Sequence, residues 1–304
     1  MIYTVTVNPS IDYFVKDPGF ALGQINEAAD AEMKPGGKGI NVSLVLRNLG
    51  LDSIAWGFLG GFIGQKIESD LHQAHVVTDF VHVKKESRIN LKIMGAQETA
   101  LNIAGPDVTA SEKNALLARF DDLQPGDLVS LSGGVPANLG TGFYRELGLL
   151  AKKHGASFIL DATGSQFRAA LAAGPLLVKP NEDELDAIAG RELADDKERI
   201  AFCRQLAAQG AQNVLLSLGA RGAYLVNKKA VLYAQAPIGT AVNTVGAGDA
   251  MVAGFICAYT QEKKLAECLQ LAVACGTATA LSSGFAVKSQ VAELLSQIKP
   301  QQLA

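Results

Sequence analysis

The pattern that decides the fold is NTVGAGDAMVAGF at residues 243–255, where a glycine-rich turn runs directly into an apolar helical segment. Gly246 and Gly248 allow the backbone to approach a ligand closely, and the free N–H groups of the first helical turn form an anion site. Asp249 lies in that turn, where the helix dipole stabilises a carboxylate. We therefore expect Asp249 to be ionised near neutral pH and able to accept a proton beside a bound anion.

The same residues allow a purely structural interpretation, in which Gly-Ala-Gly-Asp is a tight turn with an acidic residue at the helix start. The stretch is not a dinucleotide-binding fingerprint, because Met251 replaces the third glycine of GxGxxG, and it is not a P-loop, because no Lys-Ser or Lys-Thr follows. An isolated GxGD would favour the structural interpretation, so the decision depends on the rest of the chain.

The composition is that of a globular protein. Of the 304 residues, 48% are hydrophobic and 19% are charged, which excludes a disordered chain. The formal net charge of −3 provides no global basic field, so we expect neither nucleic acid nor an anionic membrane as a partner. The N-terminal MIYTVTVNPS lacks the features of a signal peptide, and the four cysteines show no metal or disulfide spacing. We expect a cytoplasmic protein with buried, reduced thiols.

Short β-rich segments alternate with longer helical patterns along most of the chain, which predicts an α/β fold with a mainly parallel sheet and helices on both faces. The predicted strands cover residues 2–7, 53–59, 127–131, 157–161, 176–178 and 214–218. The predicted helices cover residues 40–48, 65–73, 111–121, 141–154, 181–188, 195–209, 247–260, 264–282 and 289–298. Two segments near 10–36 and 79–103 break the alternation and could pair as a small sheet.

A second glycine-rich turn, PGGKGINVS at residues 35–43, also leads into a helical pattern. GGKGxN near the N-terminus, NxxE in the middle and GAGD near the C-terminus together resemble the phosphofructokinase-B family of the ribokinase-like carbohydrate kinases, over nearly the whole chain. The resemblance implies a ribokinase-like, doubly wound α/β core with a small β-sheet lid. The expected core comprises residues 1–9, 37–86 and 104–304, and the expected discontinuous lid comprises residues 10–36 and 87–103.

The resemblance also implies an ATP-dependent sugar kinase in which Asp249 is the catalytic base. The implied anion hole consists of Gly246, Ala247 and Gly248. The implied sugar-binding residues near the N-terminus are Asp12 of NPxxD and, from the GGKGxN turn, Gly36, Gly37, Lys38 and Asn41. Judged without the resemblance, Asp12 is an ordinary turn residue after a proline, and Lys38 is as readily a solvated surface charge.

The segment Ser87–Ile93 alternates with period two, which places Arg88, Asn90 and Lys92 on one face of a predicted strand. Such charges on an edge strand can simply prevent aggregation. A phosphorylated sugar, however, brings close to two negative charges beside the γ-phosphate of ATP, and Arg88, Lys92 and Lys38 could supply the cations it needs. RxNxK here is similar to the family's 1-phosphofructokinases and implies fructose 1-phosphate, with tagatose 6-phosphate or another phosphosugar as the alternative.

Two further motifs match the family's nucleotide site. NxxE begins at Asn181, two residues after Lys179. The motif implies that Asn181 and Glu184 organise Mg²⁺ and phosphate partly through water, and both offer oxygen ligands on one helical face. The same pair is also the pattern of a capping box that needs no metal. SxGxxG at residues 217–222 resembles the family's nucleotide turn, although it also fits a hairpin. The implied ATP contacts are Lys179, Asn181, Glu184, Ser217, Gly219, Gly222 and Asn243.

Three expectations concern the surroundings of the site. SGGVP at residues 132–136 departs from the family's usual SGSLP at a strand end that meets the sugar. The lid strands carry apolar residues such as Ile89 and Leu91 on one face, which predicts a homodimer. A catalytically silent sugar-phosphate sensor is the alternative function, whereas a dinucleotide-binding oxidoreductase is disfavoured because no GxGxxG follows the first strand.

Overall fold

Strands alternate with helices along most of the chain in the computed structural model, which describes residues 1–303. The strands are β1 (Ile2–Thr6), β2 (Ser10–Lys16), β3 (Asp30–Gly36), β4 (Ile54–Gly60), β5 (Val77–Thr78), β6 (Val81–Val83), β7 (Arg88–Met94), β8 (Glu98–Asn102), β9 (Leu128–Ser132), β10 (Ser157–Asp161), β11 (Leu177–Val178), β12 (Asn213–Ser217), β13 (Ala223–Val226), β14 (Val231–Ala234) and β15 (Gln301–Gln302). The helices are α1 (Lys38–Asn48), α2 (Gly61–Gln73), α3 (Ala110–Ala118), α4 (Phe143–Lys153), α5 (Gly164–Leu171), α6 (Glu182–Ala189), α7 (Asp196–Gln209), α8 (Ala247–Tyr259), α9 (Leu265–Ala280) and α10 (Lys288–Leu295).

The main sheet has the order β15-β14-β13-β12-β11-β10-β9-β1-β4-β5, and β6 adds a further pairing to β4. All pairs from β12 to β5 are parallel, whereas β13, β14 and β15 extend one edge in antiparallel fashion. The chain builds outward from β1 first to β4 and later, on the other side, to β9. Such a reversal of strand order leaves a crevice at the carboxyl ends of the strands, where open α/β sheets bind ligands.

Two separate hydrophobic cores lie on the two faces of the main sheet. Val5 and Leu131 point into the core that is covered by α3, α4, α5, α6 and α7. Their strand neighbours Ile2 and Leu128 point into the core that is covered by α1, α8, α9 and α10. Burial on both faces explains why the parallel strands are apolar at successive positions rather than alternating with polar residues. The predicted α/β class, with helices on both faces, is confirmed.

A second, smaller sheet has the order β3-β2-β7-β8, and we call it the small sheet. Its central strands β2 and β7 pair in parallel, with Asp12 opposite Asn90. The two segments that break the alternation therefore do pair with one another. β6 is the exception, because Val81 and Val83 are buried beside β4 and this strand joins the main sheet.

Several elements were not predicted. These are α5, with eight residues, and the antiparallel hairpin of β13 and β14, with four residues in each strand. Within residues 1–303, no helix combines the length and the hydropathy needed to cross a bilayer. The four cysteines are buried and unpaired, as expected.

Phe158 tests the packing of the sheet against α4. Its side chain is fully buried in β10, and a β-carbon on Gly148 of α4 would lie 2.7 Å from its ring. Phe158→Ala should lower the free energy of unfolding by about 3–5 kcal/mol, because the tightly packed surroundings cannot close the cavity. Urea denaturation followed by circular dichroism measures this loss.

The matched control is Leu149→Ala in α4, the helix that packs against Phe158. The Leu149 side chain is 45% exposed. Its effect on the free energy of unfolding should stay below about 0.5 kcal/mol. A loss for Phe158→Ala no larger than that of the control would contradict this account of the core.

Candidate active site

Most of the predicted site residues meet in one cleft of about 430 Å³ between the carboxyl ends of the main-sheet strands and the small sheet. The cleft lies at the crevice created by the reversal of strand order at β1. The predicted residues that line it are Asp12, Gly37, Lys38, Asn41, Arg88, Asn90, Lys179, Asn181, Glu184, Gly246, Gly248 and Asp249. The chain thus brings together residues that are more than 200 positions apart in sequence.

The turn before α8 has the geometry of an anion site. Gly246 caps the helix with φ +79°, a left-handed conformation that favours glycine. Ala247 and Gly248 are the first two helical residues; the Ala247 N–H donates to the Thr244 carbonyl at 3.2 Å, whereas the Gly248 N–H has no partner within the helix. A β-carbon on Gly248 would lie 3.1 Å from Nζ of Lys179. An anion at this helix start would therefore meet a lysine ammonium as well as the backbone N–H groups.

Asp249 is only 6% exposed, and Nδ2 of Asn41 donates a 2.7 Å hydrogen bond to its Oδ2. Burial raises the pKa of the Asp249 carboxyl to about 7, and the negative charge of Asp161 contributes to the rise. Lys38, Asn41 and Lys179 oppose it. The expected ionisation of Asp249 near neutral pH is therefore only partial, because desolvation outweighs the stabilisation by the helix start. A pKa close to the working pH suits a general base.

A cluster of opposite charges lies at the carboxyl end of β10. Nζ of Lys38 donates a 2.8 Å hydrogen bond to Oδ1 of Asp161 and lies 3.4 Å from Oε1 of Glu184. Burial disfavours the charge of Lys38, but the two carboxylates outweigh burial and raise its pKa. Nζ of Lys179 lies 3.6 Å from the other oxygen of Asp161. Lys38 is thus a paired, partly buried cation rather than a solvated surface charge.

The small sheet contributes a hydrogen-bonded group around Asp12. Nδ2 of Asn90 donates to Oδ1 of Asp12 at 2.8 Å and to Oγ of Ser10 at 3.0 Å. The Ser10 hydroxyl in turn donates to Asp12 at 3.0 Å. Gly36 does not line the cleft, but a β-carbon there would lie 2.7 Å from the Asp12 carboxyl carbon. Gly36 therefore leaves the space that the Asp12 side chain occupies.

Arg88 is a half-buried cation whose hydrogen bonds all go to neutral oxygens. Its guanidinium donates to the carbonyl of Asn8 at 3.3 Å, to Oδ1 of Asn90 at 3.0 Å and to the carbonyl of Ile103 at 3.1 Å. Burial lowers the pKa of Arg88, and the nearby Asp12 opposes this only in part. A guanidinium that is fixed by neutral groups at the cleft retains its charge for an anionic ligand.

Lys92 does not line this cleft, although it lies on the same face of β7 as Arg88 and Asn90. Its ammonium lies 5.9 Å from the centre of the Phe14 ring. Of the three side chains predicted to share a face, the structure therefore brings two to the cleft and places the third further along the sheet.

A neighbouring cavity of about 490 Å³ lies between the small sheet and the loops at residues 241–245 and 283–285. Asn243 lines this cavity, and its Oδ1 accepts a 3.0 Å hydrogen bond from the backbone N–H of Val245. The residues that line both cavities are Asp12, Asn41 and Val245. The cavity that holds Asn243 is therefore continuous with the surroundings of the Asp249 cleft.

Asn181 and Glu184 form a capping box at the start of α6. Oδ1 of Asn181 accepts from the Glu184 N–H at 2.7 Å, and Glu184 Oε2 accepts from the Asn181 N–H at 3.0 Å. Glu184 still presents Oε1 to the cleft, near Lys38. No group of three or more His, Cys, Asp or Glu side chains within residues 1–303 forms a metal site. Mg²⁺ commonly takes one or two protein oxygens and completes its shell with phosphates and water, so this pair fits such a site.

The SxGxxG turn connects β12 to β13, which pair in antiparallel fashion as the hairpin alternative predicted. Gly219 and Gly222 have φ values of +57° and +97°, in the region that favours glycine. Ser217 forms a parallel bridge with Asn181, so the turn lies beside the start of α6. None of the three residues Ser217, Gly219 and Gly222 lines the Asp249 cleft.

Thr6 and Asn8 line the cleft but were not singled out from the sequence. Oγ1 of Thr6 accepts a 2.9 Å hydrogen bond from the N–H of Ile40, which fixes the start of α1. Thr6 is the buried last residue of β1 and Asn8 lies just beyond it, and this position at a strand end was the signal available in the sequence. Gly133 and Gly134 of the unusual SGGVP also line the cleft.

Comparison with known proteins agrees with this geometry. The model of the pfkB family carbohydrate kinases matches residues 5–291. A 1-phosphofructokinase of Bacillus subtilis is 38% identical over 299 residues, covering 98% of this chain and 99% of the relative. A D-tagatose-1-phosphate kinase of Bacillus licheniformis is 37% identical over 98% of this chain and 99% of the relative. The crystal structure of phosphofructokinase-2 from Escherichia coli, in complex with substrates and products, superposes with a TM-score of 0.92 at 28% identity, covering 97% of this chain and 98% of that one.

The family match extends over almost the entire chain, and the similar structure has matching length and fold. The ribokinase-like α/β fold with a separate small sheet, expected from the resemblance, is thereby confirmed. The chain belongs to the pfkB family of carbohydrate kinases.

Proposed function

We propose that this ATP-dependent kinase phosphorylates fructose 1-phosphate and yields fructose 1,6-bisphosphate and ADP. The main support for a phosphorylated substrate comes from Arg88. Its guanidinium is half-buried at the cleft and donates hydrogen bonds only to neutral oxygens. An unphosphorylated sugar would leave this charge without an anion, whereas a sugar phosphate would pair with it. Lys38, which lines the same cleft, adds a second cation.

Asp249 is the base in this proposal. The free primary hydroxyl of the sugar attacks the γ-phosphorus of ATP in line, its proton passes to Asp249, and the bond from the γ-phosphorus to the bridging oxygen of ADP breaks. Support comes from the turn that contains Gly246 and Gly248, since base and anion site occupy the same helix start. Because the transition state is loose, a weak base suffices, and charge stabilisation and positioning supply most of the catalysis.

Two features beside this turn support the proposed ATP site. The SxGxxG turn lies next to Asn181, and the cavity lined by Asn243 adjoins the cleft. Asn181 and Glu184, together with phosphate oxygens and water, would hold Mg²⁺, which neutralises phosphate charge when bound. Lys179, whose ammonium lies against Gly248, would contact the phosphoryl group in transfer.

A sugar-phosphate panel tests the substrate. Fructose 1-phosphate, tagatose 1-phosphate, tagatose 6-phosphate, fructose 6-phosphate and fructose are compared in a coupled ADP-release assay, and fructose 1-phosphate should have the highest kcat/KM. Arg88→Ala should raise KM for the preferred sugar phosphate about ten- to a hundredfold, through the loss of a charge-assisted hydrogen bond, and leave KM for ATP unchanged.

Three outcomes would contradict this assignment. If a tagatose phosphate were the best substrate, the proposed sugar would be wrong but the assignment as a phosphosugar kinase would stand. If Arg88→Ala raised KM equally for the sugar phosphate and for ATP, Arg88 would not be the residue that recognises the sugar's phosphate. Calorimetric binding of the sugar phosphate without turnover would support the sugar-phosphate sensor instead.

The pH dependence of the reaction tests Asp249. Burial raises its pKa to about 7, so kcat/KM should decrease as pH falls through about 7 and the base becomes protonated. Asp249→Asn should lower kcat by about 10²–10⁴ and leave ATP binding largely intact. A flat profile through mildly acidic pH, or near-normal turnover of Asp249→Asn, would exclude Asp249 as the base.

We infer a cytoplasmic homodimer that associates through the small sheet. In the small sheet the Met33 and Leu101 side chains are 40% and 56% exposed. Ile89 instead packs within its own chain, against a third, smaller hydrophobic cluster that lies beneath α2. Light scattering should give twice the mass of one chain, and Leu101→Glu should give a monomer because a charge would be buried in the contact. Leu149→Glu on α4 is the control and should remain dimeric. A monomeric mass for the wild type would refute the dimer.

A further inference from the structure

We propose that Asp161 is a positioning residue for phosphoryl transfer, whose buried carboxylate holds the ammonium groups of Lys38 and Lys179 beside Asp249. Asp161 is the last residue of β10 and is only 1% exposed. Its Oδ1 accepts the 2.8 Å hydrogen bond from Lys38, and its Oδ2 lies 3.6 Å from Nζ of Lys179. This inference rests on the proposed role of Asp249 as the base.

The arrangement is unfavourable as a purely structural contact. Oδ2 of Asp161 is buried and has no hydrogen-bond partner within residues 1–303. Taking a carboxylate and two ammonium groups out of water costs free energy that imperfect pairing does not recover, and apolar side chains of similar volume are often at least as stable. A buried triad with one unsatisfied oxygen is therefore better explained by the position of its lysines than by stability.

The two lysines come from opposite parts of the cleft. Lys38 is the first residue of α1, directly after Gly37 of the proposed sugar-binding turn. Lys179 lies against Gly248 of the proposed anion hole. Asp161 thereby contacts one cation that follows the proposed sugar-binding turn and one that lies beside the proposed anion hole. The contact to Lys179 is the longer of the two, so Lys38 is the more tightly held ammonium.

Asp161 also sets the electrostatic environment of Asp249. Its negative charge raises the pKa of Asp249, whereas Lys38 and Lys179 lower it. The other charged side chains that line the cleft are Asp12, Arg88 and Glu184. Removing the charge of Asp161 should lower the pKa of Asp249 for two reasons. A repulsive negative charge is lost, and Lys179 becomes an unpaired cation. Removing the charge of Lys179 should raise it.

The test compares pH profiles of kcat/KM for the full-length kinase with its best sugar phosphate. Asp161→Asn should move the acid limb to lower pH by roughly 0.5–1 unit, and Lys179→Met should move it to higher pH. Asp161→Asn should also lower kcat about ten- to a hundredfold through misplaced lysines, with KM for ATP changed less than about threefold. A merely structural carboxylate would not move the acid limb.

Asp127→Asn is the matched control, because Asp127 is also buried and paired, to the N-terminal amine at 2.6 Å, but lines a different cavity at the start of β9. Its profile should coincide with that of the wild type. If circular dichroism shows that Asp161→Asn does not fold, the position of the acid limb in Lys179→Met decides the test. An acid limb that does not move in the folded variants overturns the inference, even where Asp249→Asn abolishes turnover. Full turnover of Asp249→Asn would instead overturn the proposed base.

Discussion

The burial of charge at the carboxyl ends of the parallel strands is the constraint on which the site depends. Asp161 ends β10, Lys179 directly follows β11, and Asp249 lies in the first turn of α8. Each of these side chains is less than a tenth exposed, so their charges interact through a medium of low dielectric constant. Desolvation, aided by the charge of Asp161, raises the pKa of Asp249, whereas the ammonium groups of Lys179 and Lys38 lower the pKa of Asp161 despite its burial.

Much of this architecture was predictable because its elements are locally consistent. The strands from β1 to β12 that form the parallel core are short apolar runs, and the helices between them begin at recognisable caps such as Thr109 and Asn181. The break in alternation near residues 79–103 grouped β6 with the small sheet, because period and composition do not specify a strand's partner, whereas the expected core of residues 37–86 included it. Only the tertiary structure shows that Val81 and Val83 fit beside β4.

The site residues were predictable as a group, but their energetics were not. Period-two alternation correctly placed Lys92 on the face of Arg88, yet alternation does not report how far along the strand the cleft extends. The helix start at Gly246 favours an ionised Asp249 when it is considered alone. The opposing effects, desolvation and the charge of Asp161, come from residues that are distant in sequence. A pKa is a property of the assembled site, and no motif carries it.

The raised pKa of Asp249 also connects the site to the stability of the fold. Because the folded state holds this proton more tightly than the unfolded chain, whose carboxyl titrates near 4, Asp249 reduces stability progressively as pH rises from about 4 to about 7. At neutral pH the folded kinase therefore retains a destabilising carboxylate at the start of α8. The two large cores tolerate this cost. Such a carboxylate is reactive because it is poorly solvated, so the same burial that weakens the fold provides the proposed base.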